Sequence, residues 1–247
     1  MKIIISPAKK MNVDTDTFEA DKMPEFIADA EILMNAVKAL SYAEAKALWK
    51  CNDHLATLNF KRFRDMNLQR ALTPAIMAYE GLQYQHMAPG VFTEQALSYI
   101  KERLCILSGF YGLLRPFDKV TPYRLEMQAK LSVNGSKDLY DFWGDRLYKS
   151  LLDHDRVILN LASKEYSQCI EKYIMPADRF LTIEFGERID GKVKQKGTLA
   201  KMARGAMVRF LAENQVEDLE KIKEFREMGF CYREELSDEK RYVFLAD

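Results

Sequence analysis

Histidine is nearly missing from this chain: His54, His86 and His154 are the only three in 247 residues, and none falls in an HxxxH, HExxH or ExxH spacing. That excludes the common zinc centres, which draw their ligands from such spacings. Cysteine is almost as scarce. Cys51, Cys105, Cys169 and Cys231 lie far apart with no CxxC pair, so the expectation is free thiols in a reducing cytoplasm and neither a disulfide framework nor a metal knuckle. Glycine (11) and proline (7) are sparse and no segment is of low complexity, which argues against disorder. Net charge is absent as well, with 37 Lys+Arg against 37 Asp+Glu. A wholly basic nucleic-acid binder is thereby excluded, and any polyanion site has to be a local patch.

Long apolar runs are missing too. None approaches the roughly 18 residues of a membrane span. The opening Met1-Lys2-Ile3-Ile4-Ile5 runs at once into Ser6-Pro7, which reads as a strand and not as the apolar core of a signal peptide. No Walker A, GxGxxG or GxSxG pattern occurs, and Ser108 has no recognisable histidine partner, so a hydrolase triad is excluded.

What is present is a globular chain with 48% hydrophobic residues, enough for a large core. Ile3–Ile5, Leu104–Leu107 and Val157–Leu161 read as short buried strands, and Ala75–Tyr79 as a further one. Pro24–Leu40, Thr93–Arg103, Asp138–Leu152, Lys164–Tyr173, Leu199–Asn214 and Val216–Met228 read as helices. Ser41-Tyr42-Ala43-Glu44 has the form of a capping box. Asp190-Gly191, between Phe180–Ile189 and Lys192–Lys196, signals a hairpin. Tyr123–Val133 reads as extended, and a final strand pair ends near Phe244. Strands and helices alternate without a linker or repeat, which predicts an α/β fold, one domain over residues 1–247, with a mixed sheet flanked by helices.

Four constellations carry chemistry. In Leu107-Ser108-Gly109-Phe110-Tyr111-Gly112-Leu113-Leu114-Arg115-Pro116, Gly109 and Gly112 allow a phosphate to approach backbone N–H groups. The apolar–Gly–x–x–Gly–apolar pattern also has the form of a helix–hairpin–helix turn; the plainer reading is a tight turn that packs Phe110 and Tyr111. In Pro122-Tyr123-Arg124-Leu125-Glu126, alternation puts Arg124 and Glu126 on one face. Arg115, Arg124 and Tyr123 suit phosphate and base, while a structural salt bridge is the plainer reading. From Lys192 to Phe210 no Asp or Glu occurs. Helical spacing gathers Lys201, Arg204 and Arg209 on one side with Gly205, opposite Leu199, Met202, Ala206 and Phe210, where the alternative is a solvated charged face. Finally, Lys9 after the first strand, with Asn160 and Ser163 at the end of another, sits where α/β sheets hold ligands, provided the two strands are parallel neighbours.

These residues bring a family into view. Ile5-Ser6-Pro7-Ala8-Lys9, the Leu107–Pro116 and Pro122–Met127 stretches, and Lys137-Asp138-Leu139-Tyr140-Asp141-Phe142-Trp143-Gly144 resemble the YaaA family of bacterial peroxide stress proteins. So do Asn160-Leu161-Ala162-Ser163 with Glu165-Tyr166, and the Ala200–Asn214 segment. The match runs in order along nearly the whole chain. Two local departures stand out: Lys10-Met11 replaces the usual Thr-Leu, and Ser167-Gln168 follows the Glu-Tyr pair where a lysine is common.

The resemblance implies a cytosolic single-domain protein with a positively charged cleft and a helix–hairpin–helix-like element. It implies binding to duplex or distorted DNA without sequence specificity, and a part in limiting iron-dependent oxidative damage. The phosphate contacts expected are Lys9, Gly109, Gly112, Arg115, Arg124, Ser163, Lys201, Arg204, Gly205 and Arg209. No cofactor, metal or membrane partner is expected, and the chain is expected to be a monomer. The competing reading is an enzyme on a nucleotide or nucleobase, with Glu126 as acid/base, Tyr123 stacking and Asn160 orienting.

Overall fold

In the computed structural model of the chain, residues 1–70, 72–189 and 192–246 are described. Eight strands build the main sheet: β1 (Lys2–Ile5), β2 (Leu104–Ser108), β3 (Gly112–Leu114), β4 (Val157–Leu161), β5 (Arg179–Ile189), β6 (Lys192–Lys194), β7 (Phe230–Tyr232) and β8 (Arg241–Ala246). Their order is β7-β8-β5-β4-β1-β2-β3, with β6 pairing β5. The β-branched run of β1 explains its place: Ile3, Ile4 and Ile5 are fully buried, and a strand apolar on both faces belongs inside a parallel sheet. β1 is parallel to β2 and to β4, and Ile5 stands level with both Ile106 and Leu161. Three strands therefore deliver their carboxyl ends, and the loops that follow, to one edge. β4–β5 and β5–β8 are parallel, whereas β2–β3, β5–β6 and β7–β8 are antiparallel. The sheet is mixed, as expected.

The main helices are α1 (Ile27–Lys38), α2 (Tyr42–Trp49), α3 (Asp53–Asp65), α4 (Leu82–Met87), α5 (Glu94–Arg103), α6 (Leu139–Trp143), α7 (Arg146–Leu151), α8 (Lys164–Glu171) and α9 (Gly197–Glu213). They flank the sheet in a single α/β domain whose buried side chains form one apolar cluster from Met1 to Phe244. Among the described residues no helix is long and apolar enough to cross a membrane. The capping box is formed: the Ser41 hydroxyl accepts from the Glu44 backbone N–H while the Glu44 carboxylate accepts from that of Ser41.

Local expectations fail where tertiary contacts override pattern. The helix expected over Asp138–Leu152 breaks in two at Gly144, whose φ of 54° is left-handed. Ala75–Ala78 is a helical turn and not a strand. Val216–Met228 keeps one short helical turn, Leu219–Ile222. Tyr123–Val133 joins no strand ladder; instead it lies against other backbone, as described below. β5 and β6 pair antiparallel as a hairpin would, but Asp190-Gly191 itself lies outside the described residues.

Candidate active and binding cleft

At the carboxyl ends of β1, β4 and β2 a cleft of about 350 Å³ opens. Five segments wall it: Ser6–Lys10 after β1, Glu80–Tyr84 leading into α4, Tyr123–Glu126, the start of α8 with Ser163, Glu165 and Tyr166, and Lys201 with Arg204 on α9. The parallel register brings the two strand-end loops together. The Ser163 backbone N–H donates to Ser6 Oγ at 2.8 Å, and the Ser6 hydroxyl donates to Ser163 Oγ at 3.2 Å. Ser163 occupies the N-cap position of α8, yet its side chain makes no capping bond.

A chain of hydroxyls forms the floor. The Tyr123 hydroxyl meets Ser108 Oγ at 2.6 Å and the Tyr79 hydroxyl at 2.8 Å, while the Tyr84 hydroxyl donates to the Ser6 carbonyl at 3.0 Å. Burial pushes Tyr123 up to about 12, so it is a neutral hydrogen-bonding phenol. One face of its ring is stacked on Phe110 at 4.9 Å between centroids, leaving that face closed to a base.

Arg124 and Glu126, each 8% exposed, form an ion pair at 2.9 Å, and Lys9 reaches the same carboxylate oxygen at 3.4 Å. Lys10 pairs with Glu80. Glu165 is a third carboxylate in the lining, and its pKa is raised, first by burial and then by the charge of Glu126. The cleft is thus not uniformly basic: five cations, Lys9, Lys10, Arg124, Lys201 and Arg204, face three carboxylates, Glu80, Glu126 and Glu165. Lys201 and Arg204 carry the excess. Neither side chain makes a hydrogen bond or ion pair with a described residue. Arg204 is largely desolvated, which lowers its pKa, and Glu184 acts on it only from beyond ion-pair range.

Five of the expected phosphate contacts, Lys9, Arg124, Ser163, Lys201 and Arg204, therefore line one cleft. The other five do not. Gly109 and Gly112 belong to a strand hairpin, β2 to β3 with Ser108 opposite Gly112, and not to a helix–hairpin–helix turn. A Cβ on Gly109 would sit 2.5 Å from the Leu125 carbonyl oxygen. The turn's smallness thus admits the backbone of the Arg124–Glu126 wall and no phosphate. Gly112 has φ +73° and is packed on Trp143 and Leu147.

Arg115 follows β3, which runs antiparallel to β2 and carries it to the far edge of the sheet. There its guanidinium donates to Cys105 Sγ and to the Ser150 carbonyl. Arg209 pairs with Glu213 one turn on, at 2.8 Å. Gly205 is buried, with the Gln83 carbonyl oxygen 2.0 Å from where a Cβ would be. Close approach is its purpose, but what approaches is the backbone of α4. Asn160 is 2% exposed and lies under the cleft: its amide donates to Thr182 Oγ1 and its carbonyl accepts from the Ala162 N–H. It shapes the loop that presents Ser163.

Neither Gln83 nor Glu165 is among the contacts expected from the sequence, although Glu165 belongs to the motifs of the resemblance. Glu165 stands in the Glu-Tyr pair beside Ser163, and that adjacency was the available signal. Gln83 had none, because its position follows from α4 packing on α9. No group of three or more His, Cys, Asp or Glu side chains among the described residues is arranged to hold a metal ion.

Over residues 1–236 the chain matches the protein family described as "Peroxide stress protein YaaA". It is 52% identical to a UPF0246 protein of Agathobacter rectalis over 244 residues, 99% of this chain and 98% of the relative. A UPF0246 protein of Pediococcus pentosaceus is 51% identical over 247 residues, 100% and 98% of the two chains. One from Lachnoclostridium phytofermentans is 53% identical over 245 residues, 99% and 96%.

Proposed function

This chain belongs to the peroxide stress protein YaaA family, and from that premise we propose that it acts by binding DNA without reading its sequence, so limiting iron-dependent oxidative damage. The observation that supports this reading is the pair Lys201 and Arg204 at the cleft, two cations with no carboxylate partner among the described residues. A cation left unpaired at a strand-end cleft suits a phosphate, and Lys9 adds a third positive charge beside them. Each phosphate neutralised releases counterions from the duplex. Iron(II) held in that ion atmosphere is displaced with them, and radicals then form away from the bases. The chain's zero net charge confines the effect to this patch.

With three phosphates engaged, log affinity for duplex DNA should fall with log salt at a slope of about −2.7. Replacing Lys201 and Arg204 together by Ala should bring the slope to about −0.9 and weaken all sequences alike. Fluorescence anisotropy across a salt series reads both, and an affinity indifferent to salt would remove the mechanism.

One observation favours a second reading, turnover of a nucleotide or nucleobase with Glu126 as acid/base. Glu126 and Glu165 face the same cleft, and the pKa of Glu165 is raised, first by its burial and then by the charge of Glu126. Two carboxylates in unlike surroundings at one cleft are a starting arrangement for acid/base chemistry. On this reading, incubation with a panel of nucleosides, nucleotides and damaged DNA gives a product that Glu126→Gln does not form. Absence of product across the panel eliminates it.

A further inference from the structure

A backbone grip by Lys201 and Arg204 leaves part of the cleft unused. Gln83 Nε2, Arg124 Nε and Arg204 Nε are each shut away from water without a hydrogen-bond acceptor, and all three residues line the cleft. Gln83 is only 6% exposed, and its amide makes no hydrogen bond to any described residue. Buried donors are normally paired, because an unpaired one destabilises the fold. Three around one cleft mark a place where an acceptor is supplied from outside. Glu126, held in its ion pair with Arg124, imposes the opposite demand, since an ionised carboxylate can only accept. A ligand made of acceptors alone would be repelled there. The occupant must carry an anion, neutral acceptors and N–H or O–H donors within a volume of about 350 Å³, inside the usual range for small-molecule sites. Leu82, Leu125 and the Tyr166 ring supply apolar wall between the polar groups.

We propose that the cleft binds one nucleotide unit. Its phosphate lies at Lys201 and Arg204, a base carbonyl or ring nitrogen accepts from Gln83 and Arg124, and an exocyclic amine or sugar hydroxyl donates to Glu126 or Glu165. The unit is either a free nucleoside monophosphate or a nucleotide turned out of a DNA strand. The inference rests on the DNA reading for the choice of nucleotide chemistry, but it makes a separate demand, recognition of the base.

Calorimetry compares the four deoxynucleoside 5′-monophosphates with inorganic phosphate. Anisotropy compares a duplex carrying one unpaired nucleotide with the same duplex carrying an abasic tetrahydrofuran residue there, and with the fully paired duplex. Each is run on the wild-type chain and on Gln83→Leu. A monophosphate bound at least about tenfold more tightly than phosphate supports the site with a free nucleotide as its source. A tenfold preference for the unpaired nucleotide over the abasic residue supports it with the strand as source. Gln83→Leu should reduce whichever preference exists by about five- to tenfold, with no fall in thermal midpoint, because leucine buries no unsatisfied donor.

Neither preference in the wild-type chain, or a preference untouched in Gln83→Leu, overturns the proposal. Salt-dependent binding of the paired duplex with neither preference sinks this inference and spares the DNA reading. A nucleotide preference without duplex binding does the reverse.

Discussion

Gly205→Ala should lower the stability of this protein by about 2 kcal/mol, although alanine is the better helix former. Mid-helix, the exchange by itself contributes roughly 1 kcal/mol in alanine's favour. Here the new Cβ would stand 2.0 Å from the Gln83 carbonyl oxygen, 2.9 Å from its carbon and 3.0 Å from the Met87 nitrogen. All three are backbone atoms of α4 or its first turn, so no rotamer relieves the overlap and α9 must move. Overpacking of this kind costs about 1–3 kcal/mol and occasionally more, and contact with rigid backbone belongs at the upper end. Less the gain in helix propensity, a net loss of about 2 kcal/mol is, for a chain of this length, a fall in thermal midpoint of roughly 4–8 °C. Lys201 and Arg204 lie within the preceding turn of α9, so DNA binding should weaken in the same variant with both cations unchanged. A midpoint equal to or above wild type would show that the two helices can separate freely.

Glu126→Gln carries the second large effect, and it addresses the partner-or-catalyst question. The substitution keeps the shape and one acceptor but removes the counter-charge of Arg124, whose side chain is 9% exposed. Removing one member of a buried pair strands the other at a cost of about 3–5 kcal/mol; the retained amide oxygen holds the loss near 3. Lys9, at 64% exposure, contributes little to that sum. Denaturant unfolding measures the loss, and a thermally neutral Glu126→Gln would refute a structural role for the pair. Replacing both partners, Arg124→Met with Glu126→Leu, should recover most of the stability, because apolar replacements of a buried pair are often neutral or better. If the double variant is stable yet has lost ligand binding, the pair is kept for the cleft and not for the fold.

The same residues show how far the sequence reaches. Ile3–Ile5 had to be an interior strand, since a β-branched apolar run has no solvent face to offer. Ser41 with Glu44 had to start a helix, because the reciprocal cap is entirely local. That Lys9 and Ser163 would meet was legible on the condition of parallel neighbouring strands, and the level register of Ile5 with Leu161 meets it. Arg124 with Glu126 was legible because the two are separated by a single residue.

Only the tertiary structure decided the fate of the glycines and of the outer cations. Gly109 and Gly205 carry a signal for close approach, but the signal does not name what approaches; in both cases it is the protein's own backbone. Arg115 is close in sequence to Arg124 yet lies at the opposite edge, because an antiparallel strand reverses direction while the following segment crosses back. Composition and local pattern settled the class and the central strands, since these depend on neighbours along the chain. Which five of the ten expected contacts share a cleft, and that Gln83 and Glu165 join them, depends on packing between segments far apart in the sequence, such as Gln83 against Gly205 and Ser6 against Ser163, and no local pattern encodes it.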